Sequence, residues 1–429
     1  MFHVGLFINF KHREVMKLSL YFGLLLLSLF SFQVTNSAEF VQLDEKKILS
    51  VKTNLKNKTS SETSFNAYQG LISKADALLD LEVFSVTHKE ILAPTNNPND
   101  YLSISRYWWP DDAKEGGLPW IRRDGETNPD TQTDKVDRQR LGEMTKAVRD
   151  LSYAYYFSDD EKYAKKGTEL IRAWFLNKET KMNPHLTYAQ SVPGIDKRRR
   201  SGILDGRLIP LWVLDSIALY EKSEHWSEQD NEQMNQWLGE YLTWLTESKL
   251  GKSGAKQTNN HGSWYRFQVI ALAWYLQKND VLESQLEIAK VAMAEQFNDE
   301  GAQEHELSRT KSFFYSCFNL DAITRTAIIA EKANNSMWSY PSKETSELAK
   351  AIEFLLPVAQ GEEWPYPTKG INLTDLVSVM VRYTQQTGSQ EHQDLLQTLL
   401  LGVQEKAIGE NREARLLNSF ALFEPDLLE

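Results

Sequence analysis

The chain has 429 residues, a formal net charge of −11 and a single cysteine. One cysteine excludes an intrachain disulfide, and the acidic balance argues against nucleic acid as a general partner. Hydrophobic residues make up 41% and charged residues 25%, the proportions of a soluble globular chain that can bury a large core without covalent staples.

His12, Arg13 and Lys17 precede an apolar run, Leu18 to Phe32, and then a polar stretch that ends Asn36-Ser37-Ala38. That order is the layout of a secretory signal peptide: a basic region, a short apolar region and a small residue at the cut. The run is short for a membrane span; an uncleaved anchor is the competing reading. Residues 1–38 are therefore expected to be a signal peptide, starting at Met1 or Met16. The mature protein is expected to be periplasmic or secreted, with no stable membrane insertion. Residues 39–63 are rich in Lys and Ser and read as a leader segment or a first short helix, and residues 64–429 as one domain.

From there a helical period dominates. Met144, Val148, Leu151 and Tyr155 fall at steps of four, three and four, on one helical face. Tyr163, Gly167, Leu170 and Trp174 repeat the pattern. Ser227 reads as the N-cap of a helix whose buried stripe is Met234, Trp237, Tyr241 and Leu245. Further helices are expected near 205–222, 262–277, 281–297, 313–333, 343–356, 372–387 and 390–406. Trp174, Trp212, Trp237, Trp244 and Trp274 lie on such stripes and are expected in the core. Cys317, in an apolar run, reads as a small buried hydrophobe. Strand signals are scarce. Paired helices joined by loops point to an all-α fold, an α/α solenoid or closed toroid, in a single domain.

Three loops are long and rich in aromatic and polar residues: 94–135, 178–204 and 249–261. Long ordered loops in compact domains usually carry function. They and their flanks hold the candidate ligand contacts Tyr107, Trp108, Trp109, Arg123, Asn183, His185, Tyr188, Gln190, Arg199, Arg200 and Trp264, and Glu306 is a further candidate in a later run. Aromatic faces stack on sugar rings, and guanidinium groups bind carboxylates in pairs of hydrogen bonds. Trp108 and Trp109 serve equally well as loop anchors. The basic islands Arg122-Arg123 and Lys197 to Arg200 are either solvated loops or contacts for a polyanion.

Two clusters can carry chemistry. Asn259-Asn260-His261-Gly262-Ser263-Trp264-Tyr265 stands before an apolar helix. Asn260 and His261 then lie at a helix N-terminus, where free N–H groups and the dipole favour an anion. The plain alternative is an Asn N-cap and a core histidine. Glu306-Leu307-Ser308-Arg309-Thr310-Lys311-Ser312-Phe313-Phe314-Tyr315 is the second. Arg309 and Tyr315 are roughly 120° apart on one helix and share no face. A cap at Thr310 or Ser312 would leave Arg309 in the preceding loop and Tyr315 in the first turns, so that both reach one cleft. The alternative is a surface arginine and a core tyrosine.

The runs NPNDYLSISRYWWPDD, WIRRDGETNP, MNPHLTYAQSVPG, TNNHGSWY and HELSRTKSFFYS, in this order, resemble the alginate lyase domain family of α/α-toroid polysaccharide lyases, from about residue 64 to 356. The resemblance implies an all-α toroid that cleaves an acidic, uronate-containing polysaccharide (alginate, polymannuronate or glucuronan) by β-elimination. It implies that Asn260 neutralises the C5 carboxylate with help from His261 and Arg309. Tyr315 would be the catalytic acid and, for syn substrates, also the base, with His261 the base for the opposite epimer. In the periplasmic polymannuronate lyases of this group the tyrosine follows the arginine by seven residues, and Ser-Tyr-Trp follows the histidine. Here the spacing is six and Gly-Ser-Trp follows, which looks closer to the glucuronan and alginate lyases of polysaccharide lyase family thirty-eight. No cofactor is implied, and no metal: the eight histidines form no His-x-x-x-His pair with an acidic partner. Two other classes stay open. A glycoside hydrolase on the same scaffold would need two carboxylates about 5–10 Å apart, drawn from Asp124, Asp134, Asp137 and Glu306. A non-catalytic acidic-glycan-binding protein would need only the aromatics.

Overall fold

The computed structural model describes residues 39–196, 199–342, 346–409, 411–424 and 427–428. The signal-peptide reading of residues 1–38 lies outside them. The described chain begins with a strap. The amides of Val41, Gln42 and Leu43 donate to the Asp215 carboxylate at 2.5, 2.9 and 2.9 Å. Lys332 Nζ donates to the carbonyls of Phe40 and Leu43 at 2.7 and 2.9 Å. Helix α1 (Glu45–Asn57) follows, capped by Asp44, and then α2 (Glu62–Leu78), capped by Ser61. Val41, Ile48 and Val51 are buried, so the segment 39–63 is part of the packed unit.

The first long loop holds β1 (Leu102–Ile104), β2 (Trp108–Trp109) and β3 (Ile121–Arg122). The last two pair antiparallel, Trp108 opposite Arg122. Helix α3 (Asp137–Ser158) and α4 (Glu161–Ile171) come next, and then β4 (Tyr188–Ser191), which pairs parallel with β1. The helix expected over 205–222 is broken. Tight turns span Arg200–Arg207, a wide turn spans Ile209–Val213, and only α5 (Leu214–Tyr220) is regular. Pro210 lies in the wide turn and has no N–H to give to a helical ladder.

Helix α6 (Glu228–Glu247) starts at Ser227, which forms a capping box with Asp230, as the sequence predicts. The chain continues through α7 (Lys249–Ala255), α8 (Asn260–Tyr275), α9 (Asn279–Ala294), α10 (Glu304–Leu307) and α11 (Ser312–Lys332). It ends with α12 (Glu347–Glu353), α13 (Leu356–Ala359), α14 (Thr374–Thr387), α15 (Gln390–Lys406) and α16 (Arg412–Phe423).

Pairs such as α3–α4, α8–α9 and α14–α15 are joined by turns of a few residues and pack on each other. Around the molecule α2 packs on α3, α3 on α5, α8 on α11, α11 on α14, α14 on α15 and α15 on α16, while the turns at 200–213 join α5 to α8. Helix α16 returns to pack on α2. The fold is an all-α toroid. The predicted stripes of α3, α4 and α6 are buried, as is Cys317. Gly167 is required: a Cβ there would lie 1.9 Å from the Tyr220 hydroxyl. Trp212, Trp244 and Trp274 are only half-buried; Trp212 lies under the Arg149 guanidinium at 4.5 Å. No helix among the described residues is long and apolar enough to cross a membrane.

Candidate active site

Asn259 caps α8, its side chain accepting from the His261 amide at 3.1 Å. Gly262 lets the α7–α8 connection fold back on the first turn: a Cβ there would lie 2.0 Å from the Gln257 carbonyl. Arg266 ties the same connection by donating to Gln257 O at 3.1 Å. Asn260 is 1% exposed. Its backbone N–H and Nδ2 donate to Glu306 Oε1 at 2.7 and 2.9 Å, and Nδ2 lies 2.8 Å from Oε2. Two oxygens of one carboxylate subtend a far smaller angle than the spread of the two amide N–H bonds. One N–H therefore serves Glu306 and the other points elsewhere. Burial pushes the Glu306 carboxyl up, against the Asn260 N–H groups and the Arg309 charge.

Arg309 lies in the α10–α11 loop, its N–H bonded to the Glu306 carbonyl at 3.1 Å. The Asn260–Glu306 bonds join the two clusters. The guanidinium carbon sits 3.8 Å from the centre of the Tyr315 ring, in the first turn of α11. It also donates to Asp124 at 2.8 and 3.2 Å, where Thr310 adds a bond of 3.0 Å and Arg122 one of 2.5 Å. Burial works against the Asp124 carboxylate, but Arg309 and Thr310 outweigh it and hold the carboxyl at about 2. Gly125 follows at φ +73, and a Cβ there would lie 2.5 Å from Thr310 Oγ1. No side chain fits. The Tyr315 hydroxyl donates to the Tyr107 hydroxyl at 2.9 Å. Burial, then Tyr107, raises the Tyr315 phenol, with Arg309 opposing. Tyr315 is thus a neutral proton donor at ordinary pH. The expected cap is absent: Lys311 holds the N-cap position without a side-chain bond, because Thr310 is committed to Asp124.

The other predicted contacts fall into groups. Trp108 lies under Arg199 at 4.8 Å and Trp109 under Arg123 at 5.2 Å, both rings half-buried on the β2–β3 hairpin. Trp109 Nε1 also donates to Glu126 O at 3.1 Å, so it anchors its loop. Asn183 and His185 converge on Asp100 at 2.7 and 3.2 Å, with Tyr188 beside the His185 ring. Burial lowers His185 more than Asp100 raises it. Gln190 donates to the buried Asp205 at 3.0 Å. The Arg200 side chain lies outside the described residues.

Two expectations need correction. Trp264 is 1% exposed and packs on Phe267 and Phe318, because α8 is buried on almost every side; it does not offer a face to a ligand. Glu306 is equally buried and holds Asn260 instead of a ligand. Three of the four carboxylates named for a hydrolase are occupied: Asp124 by Arg309, Glu306 by Asn260, and Asp137 by Lys89 at 3.1 Å in a fully buried pair; Asp134 is exposed. Among the described residues no group of His, Cys, Asp and Glu could hold a metal ion. The pairing of Asp124 with Arg309 carries no sequence signal; only Arg122 and Arg123, directly before Asp124, mark the spot.

The alginate lyase family model matches residues 85–364. The chain belongs to the alginate lyase family. Among solved structures it is similar to an alginate lyase from Bacteroides ovatus, with a TM-score of 0.80 and 30% identity over 89% of this chain and 99% of that one. Alginate lyase A1-III from Sphingomonas species A1 shares the fold, with a TM-score of 0.54 and 13% identity over 80% of this chain and 88% of that one. A histidine-to-alanine variant of alginate lyase A1-III in complex with a tetrasaccharide gives a TM-score of 0.56 at 12% identity, over 83% and 91%. A comparison with curated proteins finds no match. As a member of this family the protein is an enzyme, a polysaccharide lyase.

Proposed function

We propose that the protein cleaves a uronate-containing acidic glycan, alginate or glucuronan, by β-elimination. The observation that carries this is the junction at Glu306. It brings the helix start bearing Asn260 and His261 against Arg309 and Tyr315. A uronate carboxylate disfavours a carbanion at C5 until its charge is met. The second Asn260 N–H, the positive end of α8 and Arg309 meet it. The C5–H and C4–O bonds break, the C4=C5 bond forms, and Tyr315 gives its proton to the departing glycosidic oxygen. For a syn substrate the Tyr315 oxygen takes the C5 proton as its own leaves, so no free phenolate is required. For the opposite epimer His261 is the base. The six-residue spacing and the Gly-Ser-Trp after His261 favour the glucuronan and alginate lyases of polysaccharide lyase family thirty-eight. The amino-terminal signal pattern supports work in the periplasm or outside the cell.

The test is direct. The mature protein is incubated with polymannuronate, polyguluronate, alginate and glucuronan, and the ultraviolet absorbance of the unsaturated uronate end is followed. A hydrolase would release reducing ends without that absorbance, and a binder would do neither. Tyr315→Phe should lower turnover by roughly 10²–10⁴ while substrate affinity persists. Wild-type rates in that variant would remove Tyr315 from the mechanism.

A further inference from the structure

A cavity of about 440 Å³ between α3 and the turns at 205–208 is unused by this chemistry; Tyr101, Gln132, Arg138, Gly142, Lys146 and Arg207 are among its lining residues. Its size is that of a small-ligand pocket, roughly 300–1,000 Å³. It adjoins the catalytic centre on two sides. The Arg207 guanidinium lies 5.6 Å from the rings of both Trp264 and Phe318. These follow Asn260 and Tyr315 by one turn of α8 and α11, about 5.4 Å along each helix. On the other side Arg106 hydrogen-bonds Tyr107 and lies in the field of Arg138 and Asp205.

The lining charges are unequal. Arg138, Lys146 and Arg207 stand against Asp205 and Glu143. Asp205 is already consumed by Arg138 at 2.9 Å, Ser103 at 2.6 Å, Gln190 at 3.0 Å and Tyr101 at 3.1 Å. Glu143 is exposed and accepts from Gln139 at 2.8 Å. Lys146 has no hydrogen bond or ion pair among the described residues, and Arg415, Arg149 and Lys74 add to the positive field around it. Such a concentration of cation facing open space is unexpected in a chain of net charge −11.

Gly142 points the same way. It lies inside α3, where glycine costs about 1 kcal/mol relative to alanine. A Cβ there would meet nothing within 4 Å, so packing does not require the glycine. Arg138 and Lys146, one turn to either side, both line the cavity. The missing side chain widens it.

We propose that this cavity is a subsite for a uronate residue next along the glycan from the bond that is cleaved. Lys146 and Arg207 receive its carboxylate, and its ring lies along Gly142. This deepens, and rests on, the reading of the site as a uronate lyase.

The test measures binding and turnover separately. Tetramers of mannuronate and of glucuronate are titrated calorimetrically into the Tyr315→Phe protein, alone and combined with Lys146→Met, Lys146→Arg or Gly142→Met. Loss of one charged hydrogen bond corresponds to about a tenfold change in affinity. Lys146→Met and the cavity-filling Gly142→Met should each weaken binding by about that factor, while Lys146→Arg retains it. Thermal unfolding should not fall below that of the parent, since Lys146 is exposed with no partner among the described residues and Gly142 faces open space inside a helix. With Tyr315 intact, Lys146→Met should raise KM for tetramers, leave kcat within about twofold, and spare the shortest oligomer cleaved. Unchanged tetramer affinity in both Lys146→Met and Gly142→Met overturns the subsite, as does failure of the parent to bind any uronate tetramer. Binding that weakens as expected in a protein that yields no unsaturated product keeps the subsite and removes the lyase reading.

Discussion

A carboxamide can turn either its oxygen or its nitrogen to a ligand, and its neighbours decide which. At Asn260 the deciding neighbour is Glu306, which as a carboxylate can only accept and so keeps the nitrogen end in place. Replacing it by Gln removes that constraint, because an amide can pair with Asn260 in either sense. Glu306→Gln should lower kcat by roughly 10²–10³, the scale of a lost donor at a developing negative charge, with a smaller change in KM. Glu306 titrates above the ordinary carboxylate range. Protonation on the acid side should therefore slow the wild type, and that limb should vanish from the variant's pH profile. An unaltered profile would reduce Glu306 to packing. Asn260, His261, Arg309 and Tyr315 were singled out by the resemblance to the alginate lyase family; their runs alone left an N-cap, a core histidine, a surface arginine and a core tyrosine as alternatives. The burial of Trp264 was not legible. Fourteen of the sixteen residues of α8 are buried, so its periodicity marks no outward side on which a ring could meet a sugar.

At the level of elements, the β2–β3 hairpin and its following loop are fastened across the site by Asp124. The contact with Arg309 spans 185 residues, which no local pattern records. Glu126 adds an ion pair with Lys369 at 3.0 Å, and the Lys369 amide bonds to Thr310 O. The sign of its pH dependence follows from the carboxyl being held at about 2 against an ordinary 3.8. A lowered folded-state value gives stability that is complete above the ordinary value and lost as pH falls through it toward the folded one. Asp124→Asn should therefore be less stable than the wild type at neutral pH, and the gap should close between about pH 4 and pH 2. Denaturant midpoints across that range test this, and a gap independent of pH would show that the fastening is not ionic. The helix pairs themselves were legible from their stripes. The break at 205–213 was harder to see, because its apolar spacing still reads as helical and only Pro210 argues otherwise.

At the scale of the molecule, closure of the ring depends on contacts between its two ends, α16 on α2, and on the strap at Phe40–Leu43. No internal repeat in the sequence announced the closure. Nor did the Lys- and Ser-rich composition of residues 39–63 suggest that Val41 is fully buried. Asp215 gathers three strap amides from α5, and Lys332 balances it from α11. Asp215→Ala would orphan those donors and leave the lysine unbalanced. It should destabilise the fold by about 3–5 kcal/mol in denaturant titration, and a loss under about 1 kcal/mol would show the strap to be ornamental.

The strap also sets a direction. Lys332 follows Tyr315 by seventeen residues of α11, about 25 Å of helix, and Trp274, which donates to Phe40 O, follows Asn260 by about 21 Å of α8. The amino-terminal strap is thus moored at the far end of both helices that present the reactive groups. A carrier protein or solid support joined ahead of Glu39 would leave from the back of the ring, and an enzyme fixed that way would keep its working mouth turned toward the solution.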